Sequence, residues 1–237
     1  MSRRALSPAA PTRTAIKVLR AGHSWHGGTH AWDLPTQRED GSWVPGAWTP
    51  RVTPHLCSTG YHLTRDPVQW WADAPDVIAY LAEYDGRVDD RGEDKFSVER
   101  CRLLRPLNET ELAAVGIYLT GEHDEVTNAR LVGGAAHIKH LADCKVRWMT
   151  GSARVDWMDG SARVDRMTGE ATAHAGENAV VIVCRARPTV TVRGRASVLD
   201  YRPTRPAHYV ADEGQVLTLA GDGTVSQAPA SEAADAR

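Results

Sequence analysis

Apolar and polar positions alternate in a pattern that recurs every nine residues across residues 131–183. The clearest copies begin at Met149, Met158 and Met167, and each has glycine at its third position. Stepping nine residues from these glycines extends the pattern to about six copies over residues 133–182. Alternation of this kind predicts one short strand per copy with a single buried face, and each glycine supplies a turn. The two predicted inward columns are Ala135, Cys144, Ala153, Ala162, Ala171 and Val180, and His137, Val146, Val155, Val164, Ala173 and Ile182.

Two arrangements of these strands fit the pattern. In a β-solenoid, two nonapeptides form one coil of about eighteen residues, and the inward columns fill a thin core between parallel sheets. In a β-meander, Asp159-Gly160 is a hairpin turn that sets Arg154 opposite Asp165 and Asp156 opposite Arg163. We favour the solenoid, because small inward residues suit coils that stack directly on one another.

Calcium-binding β-rolls also repeat every nine residues, but they need paired glycines and a recurring aspartate in each turn. This chain has one glycine per turn, and its acidic residues at 156, 159 and 165 do not share one register. The sequence therefore predicts no calcium, and we expect no cofactor.

Residues 14–107 predict a compact α+β domain after a disordered N-terminus at 1–13. Strands are expected at Ile16–Leu19, Val77–Tyr84 and Lys95–Leu104, and a short helix at Asp66–Trp71, where Asp66-Pro67 forms an N-cap. A capping box at Asn108 and Glu111 predicts a helix through Leu112 and Ile117, within a helical connector at 108–130. The repeat module is assigned to 131–183, a C-terminal β-cap to 184–225 and a disordered tail to 226–237.

Composition and charge narrow the function classes. The 237 residues carry a formal net charge of −2, and basic residues in the repeat are offset by aspartates, so nucleic-acid binding is not expected. No apolar run of about eighteen residues is present to span a bilayer. Four widely spaced cysteines suggest reduced thiols in a cytoplasmic protein. Oligomeric state is not predicted.

Candidate chemistry concentrates in the N-terminal domain, which holds six of the eight tryptophans before residue 72. These rings predict either a core or an aromatic-lined ligand pocket. The candidate ligand site consists of His23, His26, Cys57, His62, Arg65 and Trp70. No metal site is predicted because the donor spacing is loose; the residues that could form one are His23, His26, His30, His55, Cys57 and His62.

The order of these features resembles a family of uncharacterised bacterial and phage proteins. The resemblance rests on Leu56-Cys-Ser-Thr-Gly-Tyr-His62, on the strand that ends at Tyr84-Asp-Gly86, and on the nonapeptides with Thr-Gly turns. Members carry a small N-terminal domain with a Cys-x-x-Gly-(Leu/Phe/Tyr)-His motif, then Ala/Thr/Gly nonapeptides, then a C-terminal β-cap. Cys57, Gly60 and His62 match this motif, and the likeness covers about residues 16–219. It implies a bacterial or phage-encoded protein and supports the architecture without adding a mechanism.

The sequence therefore predicts a non-enzymatic binding or structural protein, in which a repeat scaffold presents an N-terminal recognition domain to a protein partner or a small ligand. The reason is that the sequence shows a repeat architecture and no recognisable set of catalytic residues. The alternative is a small nucleotide-modifying or hydrolytic enzyme with its site among His23, His26, His62 and Arg65.

Overall fold

The structure is a computed structural model that describes residues 13–24, 30–71, 74, 76–92, 94–185, 187–202 and 206–230. The chain divides into two units, Met1–Leu107 and Asn108–Arg237. No helix among the described residues is long and apolar enough to cross a membrane. The cysteines at 57, 101, 144 and 184 are all free thiols.

The first unit, here called the barrel unit, is described as strands and one short 3₁₀ helix. Its elements are β1 (Arg13–Arg20), β2 (Thr36–Gln37), β3 (Trp43–Val44), β4 (Tyr61–Thr64), a 3₁₀ helix (Pro67–Trp70), β5 (Val77–Asp89) and β6 (Lys95–Pro106). Strands β1, β4, β6 and β5 close into an antiparallel barrel in that order. Leu19, Leu63, Phe96, Val98 and Leu103 fill its core.

The predicted α+β class of this unit is not confirmed. The helix expected from Asp66 is a single 3₁₀ turn, although Asp66 does cap it by accepting from the Val68 amide at 3.3 Å. The turn-rich stretch before β4 packs along β6 instead, with main-chain hydrogen bonds from Gly46 and Thr49 to alternate carbonyls of β6. Glycines and prolines prevent a regular helix there, so the described part of the unit is β structure with one 3₁₀ turn.

The second unit, here called the solenoid unit, begins with the predicted capping box. Asn108 and Glu111 exchange side-chain-to-main-chain bonds of 2.9 and 3.0 Å at the start of α1 (Glu109–Ala114). The helix ends earlier than predicted, because Gly116 adopts a φ of 79° and Ile117 starts a strand. The strands that follow are β7 (Ile117–Tyr118), β8 (Glu122–Val126), β9 (Leu131–Val132), β10 (His137–Ala142), β11 (Lys145–Val146), β12 (Trp148–Met149), β13 (Arg154–Asp159), β14 (Arg163–Met167), β15 (Thr172–Ala175), β16 (Val180–Val183), β17 (Thr189–Arg193), β18 (Ser197–Asp200), β19 (Ala207–Val210), β20 (Gln215–Leu219) and β21 (Val225–Pro229).

These strands form two stacked sheets with a solenoid-like course. One sheet runs β8, β10, β13, β15, β17 and the other β7, β9, β12, β14, β16, β18, and neighbours within each are parallel. Consecutive nonapeptides therefore alternate between sheets, as Val155 pairs with Ala173 and Val146 with Val164, 18 positions apart in each case. The meander alternative is wrong: Arg154 does not face Asp165 but pairs with Asp156 on its own strand at 2.5 Å.

The predicted inward columns hold in the central copies and shift by one residue at both ends. Ala153, Val155, Ala162 and Val164 are fully buried, as predicted. At the end of the repeat, Val164 pairs with Val181, only 17 positions on, so Val181 and Val183 point inward and the predicted Val180 and Ile182 do not. At its start, Ala136 and Ile138 are buried in place of the predicted Ala135 and His137 for the same reason.

The stack is also longer than the predicted module. Strands β7 and β8, in the expected connector, and β17 and β18, in the expected cap, all pair in parallel with repeat strands. Antiparallel strands then follow, β19 on β18, β20 on β17 and β21 on β20. Residues 225–229, expected in part as a disordered tail, form β21.

Candidate functional site

A tight turn before β4 contains the Cys-x-x-Gly-x-His motif. His55 and Thr59 exchange main-chain hydrogen bonds of 2.9 and 3.0 Å around the turn, and Cys57 at its tip has a φ of 66°. Gly60 also has a positive φ, 93°, and a Cβ at this position would collide with the Ser97 side chain on β6. The glycine of the motif is therefore required both by conformation and by close packing.

His62 completes the motif by closing the turn. Its Nε2 accepts a hydrogen bond of 3.0 Å from the Cys57 main-chain amide. Because Nε2 is the acceptor, we assign the ring proton to Nδ1. Burial lowers the pKa of His62, and the positive charges of Lys17 and Lys95 lower it further. The imidazole is therefore neutral at pH 7, and the nitrogen that could accept a proton is already occupied.

A cavity of about 510 Å³ lies beside this turn, on the barrel wall. Strands β1 and β4 pair only at Ile16 and Thr64 and separate beyond that point. The cavity is lined by side chains on both sides of this seam, among them Lys17, Trp32, Tyr61, His62, Trp70 and Lys95. The barrel geometry thus opens a site where two of its strands part.

Lys17 is the most unusual residue of this cavity. It lies on β1 between Ala15 and Leu19, which both pack in the barrel core, so its side chain shares the inward face. Only 7% of the residue is exposed. Its Nζ donates to the His62 carbonyl oxygen at 3.0 Å and lies 4.8 Å from the centroid of Trp32. Burial lowers the pKa of Lys17 to about 8.

Aromatic rings form much of the remaining wall. His30, Trp32 and Tyr61 make mutual edge-to-face contacts, with centroids separated by 5.1 to 5.9 Å. Trp70 receives the Lys95 ammonium over its ring at 4.5 Å and donates through Nε1 to Asp94 at 2.7 Å. Trp32 is buried in the barrel core and also lines the cavity, so one ring takes part in both.

The predicted ligand-site residues divide between this cavity and other places. Cys57, His62 and Trp70 line the cavity. His23 instead forms β-bridges to Arg20 and Ala31, and Arg65 pairs with Asp90 and stacks on Phe96. Neither His23 nor Arg65 is among the residues that line the cavity. His26 lies outside the described residues.

The metal candidates do not converge where the structure describes them. No group of three His, Cys, Asp or Glu side chains with metal-binding geometry occurs among the described residues. His30, Cys57 and His62 line the cavity, whereas His55 lies in the exposed turn and His23 at the β-bridge. The positive charge of the cavity also disfavours a cation.

Sequence reasoning missed Lys17, Tyr61 and Lys95. The signal for Lys17 was available in its spacing, since it occupies an inward position of a strand between two apolar residues. A lysine at such a position is rarely buried unless it has a partner, which makes it informative. Lys95 carried no comparable signal, because its position depends on how β6 and the 3₁₀ helix meet.

No family model, no curated protein and no solved structure matches this chain.

Proposed function

We propose that this protein binds a small molecule without transforming it, with the barrel unit as its recognition domain and the solenoid unit as a structural scaffold. The observation that carries the proposal is the cavity of about 510 Å³ into which aromatic and cationic side chains converge. Sites for small ligands have volumes of about 300–1,000 Å³ and combine apolar walls with a few polar groups. The cavity has both properties.

The surroundings of His62 support binding in preference to catalysis. A nucleophile and its base need a direct hydrogen bond between side chains, and a third group must orient the base. Here His62 contacts Cys57 through the main-chain amide, and this bond uses the accepting nitrogen. His62 serves to shape the turn at the cavity rim, which is a role in recognition.

The last strands of the solenoid unit support a scaffold role. A stack of parallel strands ends in open edges that can pair with other chains. Strands β19 and β20 cover the final parallel strand of each sheet in antiparallel orientation. We assign these strands and β21 to a C-terminal cap that keeps the scaffold monomeric at this end.

Protection of Cys57 from alkylation tests the binding function. Cys57 is exposed and lines the cavity, whereas Cys184 is half-buried in the solenoid unit and serves as an internal control. The full chain is treated with N-ethylmaleimide in the presence of individual fragments from a library of small neutral and charged aromatic compounds, and mass spectrometry follows each cysteine. We expect some fragments to slow alkylation of Cys57 without changing that of Cys184.

Each protecting fragment is then incubated with the protein and analysed by NMR. We expect it to be recovered unchanged, since the proposal is binding without turnover. If no fragment protects Cys57, the binding function is wrong. If a protecting fragment is converted to a product, catalysis replaces binding.

A further inference from the structure

The lining of the cavity carries positive charge and no acidic side chain. Among the described residues that form it are two lysines, Lys17 and Lys95, and two histidines, His30 and His62, but no aspartate or glutamate. Asp94, the residue before Lys95, is not among these residues and accepts a hydrogen bond of 2.7 Å from the indole of Trp70. A site with this charge attracts anions and repels metal ions and organic cations.

The Lys17 ammonium lacks a counter-charge in the described part of the chain. Of its three N–H groups, one donates to the His62 carbonyl oxygen, and no carboxylate of a described residue lies within 4.0 Å of Nζ. The ring of Trp32 offers a partial compensation through its π face. Burial of a cation under these conditions is costly, and proteins usually pair such a group with an anion.

The titratable groups around Lys17 do not supply that anion. Burial raises the pKa of Cys101 to about 12, so its thiol stays neutral. Burial also raises the pKa of Tyr80, the partner of Lys17 on β5. His30 and His62 have lowered pKa values, caused first by burial and then by the charge of Lys17 itself. All four groups are neutral at pH 7, and Lys17 is left as the charged one.

The aromatic walls define the second requirement on a ligand. Trp32, Tyr61 and Trp70 line the same cavity as the lysines. A planar ring gains both buried area and edge or face contacts in such a place. A small inorganic anion would meet the charge but make little use of the aromatic part of the lining.

We infer that the cavity binds a small ligand that joins an aromatic ring to an anionic group, phosphate or carboxylate, with the anion at the Lys17 ammonium and the ring against the tryptophans. This inference rests on the proposed function and specifies its ligand. The buried lysine then serves as a binding group for an anion. Its burial lowers the stability of the free protein, and the bound ligand offsets this cost.

Two matched pairs of probes test the ligand class by titration calorimetry on the full chain at pH 7. Adenosine 5′-monophosphate is compared with adenosine, and indole-3-acetate with indole-3-acetamide, so that each pair differs mainly in the anion. We expect the anionic member of at least one pair to bind at least about tenfold more tightly, as a charge-assisted contact to a buried ammonium provides. Which pair responds distinguishes phosphate from carboxylate.

The role of Lys17 is tested with Lys17→Met, which keeps the aliphatic stem and removes the charge. We expect this variant to lose the preference for the anionic probe while its affinity for the neutral probe changes less than about twofold. Lys139→Met is the matched control, because Lys139 is a lysine of the solenoid unit that is paired with Glu122 and Asp124. It should leave both affinities unchanged.

The pH dependence of the affinity for the anionic probe is a further test, because a lysine with only a structural role would not change this affinity. With the pKa of unliganded Lys17 at about 8, raising the pH from 7 to 9 removes most of the charge. We expect affinity for the anionic probe to fall by up to about tenfold over this range, and affinity for the neutral probe to stay constant.

Equal affinities within both pairs, or no binding of any of the four probes while other fragments protect Cys57, would overturn the ligand class and leave the binding function standing. A preference for anions that persists in Lys17→Met would overturn the assignment to Lys17. Absence of any protecting fragment removes the binding function itself, so the two failures are distinguishable.

Discussion

The two units of this chain build their cores in opposite ways. The solenoid core repeats small and aliphatic side chains, such as Ala153, Val155, Ala162 and Val164, all without exposed surface. The barrel core combines rings of different shapes with a buried lysine, and it borders a cavity. Stacking of identical coils lets the same small residues fill every layer, whereas a barrel without repeats has to fit unlike side chains together.

The two units also differ in how they treat buried charge, and this difference assigns stability to one unit and recognition to the other. In the solenoid unit the buried carboxylate of Asp200 is paired with Arg202 at 2.9 Å, and Arg163 pairs with Asp165 at 2.6 Å. In the barrel unit a lysine is buried without a carboxylate among the described residues, which costs stability. Sites that sacrifice stability in this manner are characteristic of function.

The largest expected effect comes from the stacked glycines of the solenoid unit. Gly169 has a φ of 69°, and a Cβ there would lie 2.6 Å from the Gly151 carbonyl oxygen in the coil below. Gly169→Ala therefore combines backbone strain with a collision against main chain that cannot move alone. We expect it to lower the free energy of unfolding by about 3 kcal/mol or more, measured by urea denaturation with far-UV circular dichroism.

Gly214→Ala is the matched control for this substitution. Gly214 has almost the same φ, 71°, but no atom lies within 4 Å of the added Cβ. It should cost only about 1 kcal/mol, from the left-handed conformation alone. Equal losses for the two variants would show that stacking of the coils adds nothing to the strain.

In the barrel unit, removal of the buried charge of Lys17 should raise the free energy of unfolding. The pKa of Lys17 is about 8 in the folded protein and 10.5 ordinarily. The unfolded chain therefore binds more protons between these values, and the stability of the native protein rises with pH from about 8 to 10.5. Lys17→Met lacks this penalty and should be more stable at pH 7 by about 1–2 kcal/mol, after loss of the bond to the His62 carbonyl.

Urea denaturation followed by tryptophan fluorescence at pH 7 and pH 10.5 measures this gain. Fluorescence reports mainly on the barrel unit, because six of the eight tryptophans precede residue 72. We expect the advantage of the variant to disappear at the higher pH. A variant that is less stable than the parent at pH 7 would show that Lys17 contributes to the fold and is not held at a cost.

The smallest effects concern two non-glycine residues with positive φ, one in each unit. Cys57 has a φ of 66° at the cavity rim, and its side chain makes no hydrogen bond among those described. Cys57→Gly should relieve backbone strain of about 1–2 kcal/mol, but glycine also loses more chain entropy on folding. We expect the free energy of unfolding to rise by about 0.5 kcal/mol in total.

Asp143 has a φ of 48° but accepts from the Ser161 amide at 2.8 Å in the next coil. Asp143→Gly should lower stability, because it removes this link between coils. Thermal unfolding of both variants gives the comparison, and the same sign for both would contradict it. At acid pH the parent should approach the Asp143 variant, since hydrogen bonds from the Ser161 amide and hydroxyl hold the pKa of this carboxyl below its usual value.

Sequence reasoning recovered the second unit far better than the first. The capping box at Asn108 and the inward columns around Val155 depend on neighbours a few residues or one coil away, so they can be read locally. The columns failed where a coil lost one residue, at Val181 and at Ile138, because a fixed step of nine cannot detect a coil of 17. Of the site, Cys57, His62 and Trp70 were predicted, but Lys17 and Lys95 were not.

The sequence by itself determined the repeat, its turns and the alternation of inward and outward side chains, since each coil contacts only the coils beside it and the pattern is local. Tertiary structure alone decided that β1 and β4 part beside the motif turn, and that Lys17, from the first strand of the barrel unit, lines one cavity with rings from three later segments. Contacts between residues so distant in sequence produce no periodic pattern in the sequence. Whether a charge is buried depends on all the segments that pack around it.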